Sequence, residues 1–388
     1  MELIESRGWS ETDTVICSSC VTDEALQEAV RAEGGDDPCD YCDETPVAPE
    51  GTAPFDVITE LVVDGLRSEY EDPNQSMGWE GGYVGAITHD TWDLVWDLEI
   101  TEIEKVHDDL LRAIQLDLWC QRDPYAATPT QALTWGWQGF RDYVKHRRRF
   151  TFLVQDDSTL DGAGSLPMHA VPSAVVNAVA ESDLVITLPA GTEYWRARVH
   201  EPGESYETAA DIGTPPDSLA RDNRMSPKGI GAFYGASSAG GAQAEVGGYA
   251  SPTQEASLGC FSTTVPLNVV DLRVPPSVPS LFASDRHLRP SRQFLHDFIA
   301  DVTKVADPAD SQYLEYVPTQ VVAEHFRYEL AGNVRGVLWQ SSKGSDVTSC
   351  VLFIPSDEVA DGSAVAPDAL LVLDPASVTE LAAPLKPA

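Results

Sequence analysis

The chain has 388 residues, 43% of them hydrophobic, enough for two or three domains and at least one sizeable core. Its 62 acidic and 25 basic residues give a formal charge of −37, which repels nucleic acid at long range without forbidding a local basic site. The opening Met1-Glu-Leu-Ile-Glu-Ser-Arg-Gly-Trp9 has no basic segment leading into an apolar run, and no stretch approaches the ~20 apolar residues of a membrane helix. A soluble, cytoplasmic protein with no membrane partner is therefore expected.

Residues 1–50 hold two cysteine pairs, Cys17-Ser-Ser-Cys20 and Cys39-Asp-Tyr-Cys42. Each C-x-x-C brings two thiolates onto one turn, and two such turns supply four soft ligands for a tetrahedral zinc. Two disulfides, or a redox pair with bystanders, would use the same residues. The remaining cysteines, Cys120, Cys260 and Cys350, read as single buried thiols. A filled four-cysteine site has no open position, so this zinc is expected to fold a knuckle and do no chemistry. Between the pairs, residues 22–33 read as a helix, with Thr22 or Asp23 as N-cap and Gly34 as stop.

Residues 51–154 read as a helical bundle. Phe55, Ile58, Leu61, Val62 and Leu66 recur at helical spacing. Trp92, Val95, Trp96 and Ile100 do so again, then Leu110, Leu111, Ile114 and Leu118, and a fourth helix is predicted over 130–149. The pairs Trp92/Trp96 and Trp135/Trp137 are expected in the core. Residues 155–180 begin rich in Asp, Ser, Gly and Pro and read as a linker. Beyond it, strand-like runs at 184–188, 194–199, 232–235, 261–265, 334–339 and 350–354, with helices near 238–247 and 291–305, predict a mixed α/β domain over 181–375. A tail follows at 376–388. The fold class is thus α+β.

The second half carries the candidate chemistry. Arg196 and Arg198 alternate on a strand and share a face. A basic, glycine-containing loop, Arg224-Met-Ser-Pro-Lys-Gly-Ile-Gly231, leads to Tyr234 and then to a helix with Glu245. Strand arginines and such a loop suit a phosphorylated ligand, because the guanidinium fork pairs with two phosphate oxygens. A glutamate among apolar residues suits stabilisation of a cationic sugar transition state. From spacing alone, a surface ion pair and a solvated helix glutamate explain the same residues.

The order of the motifs is more specific. Trp195-Arg196-Ala-Arg198, Arg224 to Tyr234-Gly-Ala236, Ala242-Gln-Ala-Glu245-Val246 and Gly336-Val-Leu-Trp-Gln-Ser341 together resemble the RES-domain family. Asp211-Ile-Gly-Thr-Pro-Pro216 resembles the branch with an N-terminal extension. The resemblance implies an NAD-degrading toxin or defence effector with a fold similar to ADP-ribosyltransferases. The same resemblance implies cleavage of the nicotinamide–ribose bond by phosphorolysis or by hydrolysis. By the same resemblance Arg196 and Arg224 hold the pyrophosphate, and Tyr234 packs on nicotinamide or ribose. Glu245 binds the ribose hydroxyls and supports the oxocarbenium-like state, and Ser341 orients the ligand. The catalytic set is then Glu245, Tyr234 and Arg196. Where many RES domains have Arg-Trp-Asn, this chain has Arg224-Met225-Ser226.

The N-terminal half resembles the HEPN-class domain found fused to RES domains, through Ile16 to Asp23, Glu80-Gly-Gly-Tyr83 and Trp137-Gln-Gly-Phe140. HEPN ribonucleases carry Arg, a polar residue, three others and His, a pattern similar to Arg141-Asp-Tyr-Val-Lys-His146. This gives a metal-independent ribonuclease acting on RNA as the alternative, set against a basic helix end that complements the helix dipole. A non-catalytic nucleotide-binding module is the third reading. An antitoxin protein and a second copy of the chain are the expected protein partners. The other histidines form no ligand spacing, and there is no P-loop or Gly-x-Gly-x-x-Gly.

Overall fold

A computed structural model describes residues 7–42, 50–154, 163–304, 312–344, 346–362 and 368–385. Residues 155–162 of the expected linker and 386–388 of the expected tail lie outside them. The chain divides into two compact units. One takes residues up to 132 with 163–165 and 277–290, and the other takes the remainder.

In the first unit, the strand Val15–Cys17 pairs antiparallel with Thr52–Pro54 and leads into a 3-10 turn, Ser18–Cys20. The helix Glu24–Glu33 starts where Asp23 accepts from the Ala25 and Leu26 amides, and it stops at Gly34, whose φ of 63° a side chain would resist. The helix Phe55–Glu69 buries Phe55, Ile58, Val62 and Leu66. These side chains share one core with Ile16, Cys17, Leu26 and Val30, so the expected boundary at residue 50 does not separate two cores.

The remainder of this unit is less helical than a bundle. Helices Thr91–Asp97 and Glu104–Ala113 are short. The third apolar run leaves helix at Ile114, whose backbone is extended, and Leu118 opens a strand, Leu118–Gln121. That strand lies between Tyr70–Glu71 and Thr88–Asp90 in a three-stranded sheet. Trp119 is buried there and donates to Thr91 Oγ1 at 2.9 Å. Trp92 and Trp96 are not core residues. They are 50% and 59% exposed, because Thr91, Leu94 and Val95 form the buried face of that two-turn helix.

The second unit is built on a ten-stranded sheet. Its strand order is Val359–Asp361, Leu371–Leu373, Glu255–Thr263, Glu193–His200, Phe233–Ala236, Thr348–Leu352, Gly336–Gln340, Leu267–Leu272 and Val185–Leu188. Thr379–Leu381 pairs with the start of Glu255–Thr263. Two pairings are parallel, Leu267–Leu272 with Gly336–Gln340 and Val359–Asp361 with Leu371–Leu373, and the others are antiparallel. The longest contact, between Glu193–His200 and Glu255–Thr263, sets Arg196 opposite Gly259 and Arg198 opposite Ser257.

Two segments expected outside the C-terminal domain pack into its core. The helix Pro129–His146, expected to complete the N-terminal bundle, belongs from Leu133 onward to this second unit. Its buried stripe of Trp137, Phe140 and Val144 joins Phe294, Phe298 and Phe326 in the main core, and the Trp137 and Phe298 rings are 5.0 Å apart. The end of the expected linker is also structural: Val171–Glu181 is a helix that buries Val175, Val176 and Val179 in the same core. Of the second tryptophan pair only Trp137 is core, Trp135 being 55% exposed. Helix Arg289–Thr303 lies close to its expected place, whereas Gln312–Glu329, with Pro318 inside it, has no counterpart in the sequence reading. Among the described residues no helix is long and apolar enough to cross a membrane.

Candidate functional site

On the strand Glu193–His200 the two arginines reach the same neighbouring segment. Arg196 donates through Nε to the Ile212 carbonyl and through Nη1 to the Tyr234 carbonyl, both at 2.8 Å, and Arg198 donates to the Asp211 carbonyl. Neither arginine has a carboxylate ion pair among the described residues. Burial holds the Arg196 guanidinium below its ordinary pKa, the signature of a cation without an adequate counter-charge.

The loop from Arg224 is pinned. Tyr234, on the strand Phe233–Ala236, accepts from the Met225 amide at 3.2 Å and shares a 3.0 Å hydrogen bond with Ser226 Oγ. Burial pushes the Tyr234 hydroxyl up to about 12, so it stays protonated. Gln320 and Thr319 of the helix Gln312–Glu329 hold the Asn223 and Arg224 carbonyls. The Arg224 guanidinium donates to the Val302 carbonyl and lies 5.9 Å from the centre of the Tyr316 ring. Burial lowers its pKa, partly offset by the fields of Tyr316 and Glu245.

Glu245 sits near the end of the helix Ala239–Gly247, which Ser238 caps by accepting from the Gly241 amide. The helix rests on small side chains, Ala197, Ala236 and Ala256, so it lies close to the sheet. Glu245 Oε1 receives the hydroxyls of Ser341 at 3.4 Å and Ser349 at 3.5 Å, the outer edge of hydrogen-bond range. Glu245 Oε2 has no hydrogen bond among the described residues.

Arg196, Tyr234 and Glu245 line one cavity of about 220 Å³, together with Trp195, Tyr249 and Ser349. Ser341 and Arg224 do not line it: Ser341 reaches Glu245 from outside the lining, and Arg224 lies within electrostatic reach of Glu245 and Tyr234. Such a site can bind an anion at one end and stabilise positive charge at the other. Residues 193–374 match the RES domain, and residues 32–158 match HEPN/RES N-terminal domain 1.

The chain carries a RES domain behind a HEPN/RES N-terminal domain. No curated protein and no solved structure matches it. In the RES domain, sequence reasoning missed Tyr249, Ser349 and Trp195 as cavity residues. Tyr249 lies in the turn just past the end of the Glu245 helix, a place that helical spacing does not predict. Ser349 had no signal, because its place depends on register, opposite Trp339 on one side and Ala236 on the other.

The four cysteines converge in the first unit. Their sulfurs all lie within 4.8 Å of one another, with Cys17 to Cys20 at 3.4 Å, Cys17 to Cys42 at 3.6 Å and Cys20 to Cys39 at 3.7 Å. Ligands about 2.3 Å from a tetrahedral ion stand roughly 3.8 Å apart, so the cluster could hold a metal ion. None of the four is joined in a disulfide among the described residues. The Tyr41 amide donates to Cys39 Sγ at 3.5 Å, and burial pushes the Cys17 thiol up to about 11. The N-terminal family match begins after Cys17 and Cys20.

Arg141 and His146, the residues of the ribonuclease pattern, both lie within electrostatic reach of Glu315. Arg141 is ion-paired with Asp301 at 2.7 Å and Glu315 at 3.7 Å, and Lys145 takes Glu315 at 2.6 Å. His146 is exposed at the end of its helix.

Proposed function

We propose that the RES domain degrades NAD by breaking the bond between nicotinamide and ribose. The observation that carries this reading is one cavity lined by Arg196 and by Glu245, the arginine with no carboxylate ion pair and the carboxylate with only hydroxyl partners among the described residues. In this reading Arg196 and Arg224 take the pyrophosphate. Glu245 Oε2 accepts from a ribose hydroxyl, and its charge stabilises the oxocarbenium-like state. The C–N bond breaks with its electron pair going to nicotinamide, which leaves neutral. Water or phosphate then forms the new C–O bond, and a proton is lost to solvent. A cavity of about 220 Å³ suits a ligand the size of the nicotinamide riboside end. The resemblance to ADP-ribosyltransferases belongs to the same proposal.

Purified protein incubated with NAD, with and without phosphate, tests it. Release of nicotinamide supports cleavage, and the second product separates ADP-ribose from its 1-phosphate. Binding without turnover would favour a nucleotide-binding module instead. We assign zinc to the cysteine cluster, since four thiolates in a closed tetrahedral set select it. A toxin or defence role, with an antitoxin and a second copy of the chain as partners, completes the proposal.

A further inference from the structure

Arg224 is held from two helices. The Val302 carbonyl at the end of Arg289–Thr303 accepts from its guanidinium, and Thr319 of Gln312–Glu329 donates to its own carbonyl. The residue beside Val302 is Asp301, a carboxylate within electrostatic reach of Arg224. Left alone, an acid at that place competes with a substrate phosphate for the guanidinium. It is not left alone. Arg141 Nη1 takes Asp301 Oδ1 at 2.7 Å, and Trp137 Nε1 takes Oδ2 at 2.8 Å, so both oxygens are occupied. One turn on, Lys145 occupies Glu315, the acid just ahead of Tyr316, on whose ring Arg224 rests. Lys145 holds the Glu315 carboxyl below its ordinary range.

We propose that Arg141 is a positioning residue for the RES site: by holding Asp301 it leaves Arg224 free for the anionic part of the substrate. The helix Pro129–His146 lies within the match to the HEPN/RES N-terminal domain, while its residues from Leu133 onward are part of the RES unit. That helix therefore sets the charge balance behind a substrate-binding arginine. The substrate named here rests on the NAD reading above, but the competition between two arginines for Asp301 does not.

The test uses the full chain as wild type, Arg141→Gln, Asp301→Asn, the double variant and Arg141→Lys. Arg141→Gln is expected to raise KM for NAD five- to tenfold with kcat within twofold. Asp301→Asn, Arg141→Lys and the double variant are expected to keep KM within twofold of wild type. A merely structural Arg141–Asp301 pair would lower the melting temperature of Arg141→Gln, relieved in the double variant, without raising KM in the folded protein. An unchanged KM in Arg141→Gln, or a raised KM in the double variant, overturns the proposal. If Arg141→Gln alone does not fold, the double variant decides. A second readout needs no turnover: the rate at which phenylglyoxal modifies Arg224, followed by peptide mapping. It should fall at least threefold in Arg141→Gln, as Asp301 captures Arg224, and recover in the double variant. That response across the variants, together with a wild-type protein that leaves NAD intact, would sink the NAD reading and keep the positioning role. No response would sink the positioning role.

Discussion

Ser341 and Glu245 meet at 3.4 Å across 96 positions of sequence. The contact joins the end of a central strand to a helix on the sheet, and it leaves Glu245 Oε2 open to a ligand. If that carboxylate stabilises ribosyl cation character, Glu245→Gln keeps most of the affinity for NAD and loses turnover. The expected loss is ~3–4 kcal/mol in the barrier, a hundred- to thousandfold in kcat. Ser341→Ala should cost only severalfold, because Ser349 still reaches the same oxygen. Steady-state kinetics check both. A Glu245→Gln protein that cleaves NAD at the wild-type rate excludes this mechanism.

Arg196 should behave differently. Its guanidinium serves two carbonyls, Ile212 and Tyr234, as well as the proposed phosphate. Arg196→Ala is expected to raise KM and lower kcat together, since a phosphate contact exists in ground state and transition state alike. It should also lower the melting temperature, because stranded carbonyls cost about 1–3 kcal/mol each where water cannot reach them. Kinetics with a thermal melt separates the two losses. A stable variant with unaltered KM would remove Arg196 from the binding site.

The site was legible in sequence where it depends on order and local chemistry. Strand alternation placed Arg196 and Arg198 together, and the Asp23 cap and Gly34 stop marked a helix. Long-range packing was not legible. An apolar stripe such as Trp137, Phe140 and Val144 states that a helix is buried, yet not against which partner, and here the partners are Phe294 and Phe298. Helix Gln312–Glu329 was hidden because Pro318 and its β-branched valines argue locally against helix. Strands of three residues, such as Val359–Asp361, carry too little periodicity to be read.

Metal removal should reach beyond the knuckle. Cys17 and Cys20 share a core with Phe55, Ile58 and Val62, and Val15–Cys17 pairs with Thr52–Pro54. Chelation, or Cys39→Ser with Cys42→Ser, is expected to raise amide exchange across the helices Glu24–Glu33 and Phe55–Glu69. Exchange in the ten-stranded sheet should change little. Native mass spectrometry should give one zinc per chain, lost in the double variant. Unchanged exchange after demonstrated metal loss would make the ion dispensable for the fold.

Gly241 lets the Glu245 helix approach the sheet. A Cβ there would stand 2.4 Å from Val347 Cγ1 and 3.2 Å from Ala236 Cβ, inside normal contact. Gly241→Ala gains helix propensity of about 1 kcal/mol, but overpacking of this kind costs about 1–3 kcal/mol and moves whatever can move. The strand that holds Ala236 is central in the sheet, so the helix yields and carries Glu245 away from Ser341 and Ser349. The expected result is a kcat loss of tenfold or more with a melting temperature lowered by only a few degrees. Adding Val347→Ala removes the nearest obstacle and should restore most of the activity. An equal loss in the single and double variants would show that Gly241 acts through the backbone and not through the space it leaves.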